Sequence, residues 1–241
     1  MVFDRHLESV SRVAGYLWQR GWAEMGAGNI SLDISGVTIP DERLFKCPFD
    51  LHNPKDNSLP DGKQILVTLS GSRMRDVASN PLENLCLLRF TGTSRQSELL
   101  FLSKDKKIAL PTSELPAHLA IHRLLTEKKT DRKCVLHTHC TELIALTHIP
   151  EYTNEKNLNA LFESLHPEVS EYIPELVGYI DYIPPGTKEI AKQTARKLKN
   201  HRVVIWEKHG VIATGDDLDE AFDLIDVLAK AAKIYFLTNK R

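Results

Sequence analysis

Two histidines stand one residue apart at the end of a short apolar run, Val135-Leu136-His137-Thr138-His139. Because successive side chains of a β-strand point to opposite faces, a strand here directs the imidazoles of His137 and His139 to the same side. Imidazole nitrogens are common ligands of divalent metals, which usually bind three or four such groups. Two histidines alone are equally typical of polar residues at a strand end, so the rest of the chain must supply further ligands.

A second pair of histidines, His118 and His122, has the i, i+4 spacing that places two side chains on one face of a helix. This spacing could also bind a metal, but the sequence around it lacks the H-E-x-x-H arrangement typical of such helices. We therefore predict that His118 is a hydrogen-bonded residue on the packed face of its helix.

Two turns of small residues lie beside predicted strands and could bind an anion. Gly26-Ala27-Gly28-Asn29 comes directly before one strand, and Ser70-Gly71-Ser72 comes directly after another. Glycine-rich turns leave backbone N–H groups free to face a phosphate, although a plain tight turn is the alternative. A third candidate is Pro111-Thr112-Ser113-Glu114, whose hydroxyls, acid and proline are typical of the first turn of a helix.

Hydrophobic periodicity indicates the elements that must hold these residues. Apolar residues at helical spacing predict helices over residues 4–20, 117–125, 142–147, 154–166, 188–200 and from 218 to the end. Apolar runs and alternation predict strands over 30–34, 64–69, 85–91, 97–103, 135–139, 203–206 and 211–213. We expect a long surface excursion over 40–63, a charged turn over 104–107, and mixed strand and loop over 167–183. Because the strict βαβ rhythm is missing, these elements predict an α/β protein with a mainly antiparallel sheet, in one domain over residues 1–241.

Composition and charge exclude several kinds of partner. Hydrophobic residues make up 42% and charged residues 26% of the 241 positions, which is typical of a soluble globular protein. The formal net charge is −1 and the basic residues are dispersed, so we expect neither nucleic acid nor a membrane as a partner. The four cysteines show no C-x-x-C spacing, and the chain has no secretory signal or bilayer-spanning apolar run. We therefore expect a cytoplasmic protein, in which Cys134 and Cys140 are small core residues.

The candidate motifs occur together in the order found in the class II aldolase family, which the chain resembles over nearly its whole length. Three longer segments carry the same resemblance: 111–118 (Pro-Thr-Ser-Glu-Leu-Pro-Ala-His), 143–147 (Leu-Ile-Ala-Leu-Thr) and 206–211 (Trp-x-x-His-Gly-Val). They are most similar to the branch of the family that cleaves L-rhamnulose 1-phosphate. The resemblance implies a central, mostly antiparallel sheet with helices packed on both sides. It also implies a cyclic homotetramer with active sites at the subunit interfaces.

The resemblance further implies one Zn²⁺ per subunit, bound by His137, His139 and His209. Three neutral imidazoles leave an open coordination position, as a catalytic zinc requires. The implied reaction is the reversible cleavage of a ketose 1-phosphate to dihydroxyacetone phosphate and an aldehyde, with the metal as a Lewis acid. Glu114 matches the family carboxylate that moves the proton at the carbon beside the carbonyl. Alone, Glu114 is equally typical of an acid that interacts with the helix dipole.

The resemblance also assigns the phosphate and a second acid. Hydroxyls, an amide and backbone N–H groups near a helix N-terminus are expected to hold the phosphate dianion, contributed by Gly28, Asn29, Ser70, Gly71, Thr112 and Ser113. Glu168 aligns with a glutamate that reaches the site from a neighbouring subunit and protonates the leaving alkoxide. A surface carboxylate is the alternative for Glu168.

Two departures from the family pattern leave the sugar open. Gly26 stands where the family branch usually has an asparagine, and the chain stops at Arg241 without the C-terminal segment that the resemblance leads one to expect. The same zinc triad supports L-fuculose-phosphate cleavage, L-ribulose-5-phosphate epimerisation and methylthioribulose-phosphate dehydration. A glutamate at position 114 favours an aldolase over the epimerase, which has an aspartate there. Adducin-like relatives, which are non-catalytic interaction modules, lack the metal histidines that this chain keeps.

Overall fold

The structure, a computed structural model, describes residues 2–47, 51–52, 59–91, 96–105 and 109–239. In this part of the chain, ten strands form one sheet. The strands are β1 (Asn29–Asp33), β2 (Phe45–Lys46), β3 (Leu51–His52), β4 (Gln64–Thr68), β5 (Leu85–Phe90), β6 (Gln96–Phe101), β7 (Cys134–Thr138), β8 (Val177–Ile180), β9 (Val203–Trp206) and β10 (Gly210–Gly215). The helices are α1 (Val2–Gln19), α2 (Met74–Ser79), α3 (Pro81–Asn84), α4 (Leu115–Lys128), α5 (Thr141–Leu146), α6 (Glu155–Leu165), α7 (Pro167–Tyr172), α8 (Lys188–Lys197) and α9 (Leu218–Thr238).

The sheet is mostly antiparallel, as predicted. Its order is β2-β6-β5-β4-β1-β7-β10-β9-β8, and β3 also pairs with β6. The pairing of β8 with β9 is parallel, and the other pairings among the described strands are antiparallel. The central strands β1, β7 and β10 are neighbours, with His137 opposite Asn29 on one side and Ile212 on the other. Residues from distant parts of the sequence therefore meet at the middle of the sheet.

Helices pack on both faces of the sheet, which confirms the expected architecture. The alternation of β7 places Cys134 and Leu136 in the core beneath α1 and α9, while Val135 lies in a second core beneath α4 and α8. Both cysteines that flank the histidine pair, Cys134 and Cys140, are free and fully buried, as predicted. Among the described residues, no helix combines the length and apolar character needed to cross a bilayer.

Some predicted elements differ from the structure because their partners are remote in sequence. Within residues 40–63, predicted as a surface excursion, β2 and β3 pair with β6, so that interpretation was wrong for these four residues; residues 48–50 and 53–58 lie outside the described part. The segment 167–183 begins with α7, a helix of six residues too short to show a periodicity. No element was predicted for 73–84, which forms α2 and α3. The expected charged turn over 104–107 is described only at 104–105.

Candidate active site

Three histidines converge at one end of the central strands. His137 is the next-to-last residue of β7, and His139 follows the strand end, where its backbone N–H donates to the Trp22 carbonyl at 2.9 Å. His209 lies in the turn between β9 and β10, directly after Lys208, whose φ of 56° reverses the chain. The Lys208 N–H donates to Thr147 Oγ1 at 2.9 Å, so the hydroxyl of α5's flanking residue holds this turn. The paired strands β7 and β10 and the hydrogen-bonded turn before β10 therefore position the three rings.

The rings are close enough for their nitrogens to bind one ion. One nitrogen from each ring lies within 4.8 Å of the others, and the ring centroids are 4.9–5.3 Å apart. Within the described ranges, this is the group of three or more His, Cys, Asp or Glu side chains whose spacing could hold a metal. His118 and His122 do not belong to it. Both are buried and bonded to the Ser31 hydroxyl, which is the hydrogen-bonded, packed state that the sequence predicted for His118.

The hydrogen bonds of two rings leave their Nε2 atoms available as ligands. Nδ1 of His137 donates to the Val211 carbonyl at 3.0 Å, and Nδ1 of His139 donates to Glu24 Oε1 at 2.7 Å. Such bonds from the far nitrogen are typical of metal-bound histidines, because they fix the tautomer and the ring orientation. Burial lowers the pKa of His137 to about 3 and that of His209 to about 4, so both are neutral near pH 7. Neutral imidazoles are the form that a metal requires.

Glu114 completes this cluster from the opposite side. It directly precedes α4 and is buried, and its side chain does not cap that helix. Oε2 lies 3.4 Å from Nε2 of His137, and Oε1 lies 3.4 Å from Nε2 of His209. The His137 Nε2 atom is buried without a hydrogen-bond partner, so an acceptor nitrogen faces a carboxylate oxygen. A cation among these atoms would satisfy both groups, and the donor set therefore fits a divalent metal.

A cleft of about 170 Å³ opens in front of the histidines. It is lined by Glu114, the three histidines and all six residues expected to hold phosphate, namely Gly28, Asn29, Ser70, Gly71, Thr112 and Ser113. The two glycine turns lie side by side, since a Cβ added to Gly26 would lie 3.7 Å from the Cα of Gly71. The described residues that line the cleft include no lysine or arginine, so one chain offers an anion only neutral donors there.

Position 28, which lines the cleft, favours glycine for two steric reasons. Its φ is 79°, in the left-handed region, and an added Cβ would lie 3.2 Å from the backbone oxygen of His137. The next residue, Asn29, is buried, and its Nδ2 donates to Glu114 Oε2 at 3.0 Å. This contact, which the sequence analysis did not predict, ties one of the expected phosphate residues to the candidate catalytic carboxylate.

Glu168 lies apart from the cleft of its own chain. It is on α7, its side chain is 46% exposed, and its Oε2 lies 2.8 Å from Nδ1 of His166. It does not line the cleft formed by the described residues. A role for Glu168 in the site therefore requires a second subunit.

Trp206 and Glu24 are two residues of the site that the sequence analysis did not assign to it. The Trp206 ring stacks on His209 with a centroid distance of 5.1 Å and packs against His137 at 4.7 Å. Its position three residues before His209 in a conspicuous Trp-x-x-His-Gly segment was the available signal. Glu24, which holds the far nitrogen of His139, carries no local signal, because its contact spans 115 residues.

Known proteins resemble this chain over almost its whole length. The family model described as the Class II Aldolase and Adducin N-terminal domain matches residues 8–236. A rhamnulose-1-phosphate aldolase of Bacteroides thetaiotaomicron is 38% identical over 233 residues, which are 96% of this chain and 85% of that protein. A second, from Enterococcus faecalis, is 34% identical over 95% of this chain and 81% of its own length.

Solved structures show the same fold. A sugar-phosphate aldolase from Thermotoga maritima superposes with a TM-score of 0.80 at 30% identity, covering 100% of this chain and 98% of that one. An L-fuculose-1-phosphate aldolase from Thermus thermophilus, at 19% identity, covers 97% of this chain and 94% of its own with a TM-score of 0.61, which supports the fold alone. On the match of the family model and these relatives, the chain belongs to the class II aldolase family.

Proposed function

We propose that this protein is a zinc-dependent aldolase that reversibly cleaves L-rhamnulose 1-phosphate to dihydroxyacetone phosphate and L-lactaldehyde, a step of rhamnose catabolism. The protein is a sugar-phosphate aldolase, an aldehyde-lyase, by its family and its relatives. The choice of L-rhamnulose 1-phosphate is supported by relatives of that name at 31–38% identity. The observation that carries the chemistry is the cluster of three imidazoles with both oxygens of Glu114 at 3.4 Å from two of them.

His137, His139 and His209 would hold one zinc ion per subunit. The sequence resemblance to the family, the Nδ1 hydrogen bonds of His137 and His139, and the lowered pKa values of His137 and His209 support these three residues as the ligands. When bound, zinc supplies a Lewis acid that polarises the carbonyl of the ketose phosphate and serves as the electron sink. A Schiff-base lysine is then not required.

Glu114 would move the proton at the carbon beside the carbonyl. In the addition direction it takes this proton from dihydroxyacetone phosphate, and in cleavage it returns the proton to the same carbon. Burial and the hydrogen bond from Asn29 hold its carboxylate at the cleft wall in one orientation. The contribution expected of such a general base is about 10²–10⁴-fold in rate.

The phosphate would lie against the two glycine turns and the N-terminus of α4. Backbone N–H groups of Gly28 and Gly71 and the hydroxyls of Ser70, Thr112 and Ser113 are the proposed donors, with Asn29 beside them. The positive end of the α4 dipole favours the dianion at this position. Their common position in one cleft supports the assignment.

We also propose that the chain forms one domain and assembles as a homotetramer with active sites at the subunit interfaces. Two large apolar side chains beside the cleft are exposed, Met25 at 82% and Leu110 at 53%, and contact with another subunit would bury them. Glu168 of a neighbouring subunit would then protonate the leaving alkoxide. The free, buried state of all four cysteines supports a reducing, cytoplasmic location.

Gly26 keeps L-fuculose 1-phosphate as a second candidate substrate, since the side chain that an asparagine would place near the sugar is missing. Related epimerase and dehydratase reactions, and a non-catalytic adducin-like role, are less well supported. Glu114 stands where the epimerase has aspartate, and an interaction module does not need the histidine cluster.

Zinc content and product release test the proposal together. Protein purified without chelators should contain close to one zinc per chain and release dihydroxyacetone phosphate from L-rhamnulose 1-phosphate in a coupled assay. The double variant His137→Ala/His139→Ala should lose both zinc and turnover, whereas His6→Ala/His148→Ala, outside the cleft, should keep both. Full activity in metal-free protein contradicts the zinc proposal. Release from L-fuculose 1-phosphate or L-ribulose 5-phosphate instead would replace the substrate.

A further inference from the structure

Two rows of polar residues face each other between strand β1 and helix α4. Asn29, Ser31 and Asp33 alternate along β1 and therefore share one face of the sheet. On the helix side, Glu114, His118 and His122 recur every four residues, at the start of α4 and along one of its faces. Steps of about 6.7 Å along a strand and about 6 Å along a helix are nearly equal. The two rows can therefore interleave, residue by residue.

The interleaved side chains form one continuous, buried series of hydrogen bonds. Starting at the cleft, Glu114 Oε2 and Asn29 Nδ2 are 3.0 Å apart, and Asn29 Oδ1 and His118 Nε2 are 2.5 Å apart. His118 Nδ1 then lies 2.6 Å from Ser31 Oγ, which lies 2.7 Å from His122 Nε2. His118 and Ser31 are completely buried and His122 is 2% exposed. Buried polar groups of this kind have few alternative partners.

Chemistry determines the direction of every donor in this series. A carboxylate only accepts, so Asn29 must present its NH₂ to Glu114 and its oxygen to His118. That oxygen requires a donor, which places the His118 proton on Nε2 and leaves Nδ1 to accept from the Ser31 hydroxyl. The hydroxyl oxygen in turn accepts from Nε2–H of His122. All the donors point toward Glu114.

Burial keeps both histidines in the neutral form that this direction requires. It lowers the pKa of His122 to about 4 and holds the pKa of His118 well below its ordinary value. Asp33, the last member of the β1 row, raises the pKa of His122, while Lys63, which pairs with Asp33 at 2.6 Å, lowers it. Neutral imidazoles with one fixed proton each can act as oriented links.

We propose that His118, backed by Ser31 and His122, is a positioning residue for the aldol reaction. Its Nε2–H fixes the Asn29 amide so that the amide donates to Glu114 and holds the carboxylate in place for proton transfer. This inference rests on the proposed function, since it assigns Glu114 the proton-transfer step. His118 itself does not line the cleft formed by the described residues and is not expected to touch the substrate.

Two conservative replacements of His118 distinguish loss of the Nε2 hydrogen-bond donor from loss of the ring itself. The amide nitrogen of His118→Gln reaches the position of Nε2 and can still donate to Asn29, whereas the shorter His118→Asn can replace only Nδ1. We expect His118→Gln to keep kcat within about threefold and His118→Asn to lose about tenfold or more, as for a hydrogen bond in a series that ends on a charged group. KM and zinc content should change little in either variant.

The matched controls are His201→Gln and His201→Asn. His201 is also largely buried, but its ring bonds to backbone carbonyls of Glu175 and Leu176 at the β8 edge, far along the sheet from β1. Both variants should leave kcat unchanged. Equal kcat values for folded His118→Gln and His118→Asn would overturn the proposal, as would equal losses in both that follow their thermal stability.

A spectroscopic measurement tests the same point without turnover. Solid-state NMR of ¹³C,¹⁵N-labelled, metal-free protein should show His118 as the neutral Nε2–H tautomer at pH 7, assigned by its cross-peaks to Asn29 and Ser31, which its ring contacts. An Nδ1–H or doubly protonated His118 would refute the proposal even if both variants fail to fold. If the unaltered enzyme cleaves no ketose phosphate while this tautomer is present, the proposed function fails and the hydrogen-bond series stands.

Discussion

At the scale of single residues, Glu114 is the group on which the proposed chemistry depends. A carboxylate as buried as this one is costly unless it is paired or hydrogen-bonded. Its Oε2 lies 3.4 Å from Nε2 of His137, and its Oε1 lies 3.4 Å from Nε2 of His209. The Asn29 amide donates a hydrogen bond to Oε2. The Glu114 side chain therefore points into the cleft and does not cap α4.

Replacing Glu114 by glutamine should separate proton transfer from metal binding. Glu114→Gln keeps the size of the side chain but cannot accept the proton, so kcat should fall about 10²–10⁴-fold. Zinc should stay near one per chain, because the three imidazoles remain. The control is Glu127→Gln, which removes an exposed carboxylate from the other end of α4. Turnover that is unchanged in Glu114→Gln would remove this residue from the role.

At the scale of elements, the pairing of β7 with β10 brings His137 and His139 beside His209. Gly210, the first residue of β10, makes this close approach feasible. An added Cβ would lie 2.5 Å from the Thr138 carbonyl oxygen and 3.1 Å from Cε1 of His137. Because the first of these neighbours is backbone, the strand itself would have to move.

Gly210→Ala should therefore damage the site through the sheet. We expect the free energy of unfolding to fall by about 1–3 kcal/mol, as for other overpacked positions, together with loss of zinc and turnover. Denaturant unfolding and metal analysis measure the two effects. The control is Gly15→Ala in α1, where the new Cβ would make an ordinary 3.7 Å contact with Ala78 and helix propensity should improve stability by about 0.5–1 kcal/mol. Retained zinc and full stability in Gly210→Ala would contradict this account.

At the scale of the whole molecule, one chain supplies the histidines, Glu114 and the two glycine turns, but not the proposed second acid. Glu168 is on α7, outside the cleft of its own chain. If a neighbouring subunit supplies it, each active site is a composite of two chains. Such composite sites allow two different defects to complement each other in a mixed oligomer.

Co-expression of Glu114→Gln with Glu168→Gln chains should restore activity that neither variant has alone. In a ring of equally mixed subunits, about a quarter of the sites would combine an intact Glu114 with an intact neighbouring Glu168. Light scattering should report four chains per particle. As a control, mixing Glu114→Gln with His137→Ala/His139→Ala chains should give no gain, because both changes fall in the same chain's part of the site. No gain in the first mixture would exclude Glu168 from the neighbour's site.

The sequence by itself determined the features that depend on local alternation and on ordered motifs. The i, i+2 spacing of His137 and His139 placed both rings on one side. The small residues at 28–29 and 70–71 predicted two turns, those at 112–113 predicted a helix start, and all of them line the cleft. The antiparallel sheet with helices on both faces followed from the elements and from the family resemblance. The histidine spacing and the small-residue motifs depend on residues close together in the chain, so local physics is sufficient for them.

Only the tertiary structure decided which side chains meet across elements. Asn29 and Glu114 are 85 residues apart, and Asn29 and His118 are 89 residues apart. No local pattern could therefore predict that their side chains form one series of hydrogen bonds. The contact of Trp206 with the ring of His137 and the pairing of β2 and β3 with β6 are also long-range. Such contacts form only when whole helices and strands pack closely together. The resulting distances between their side chains are not specified by spacing along the sequence.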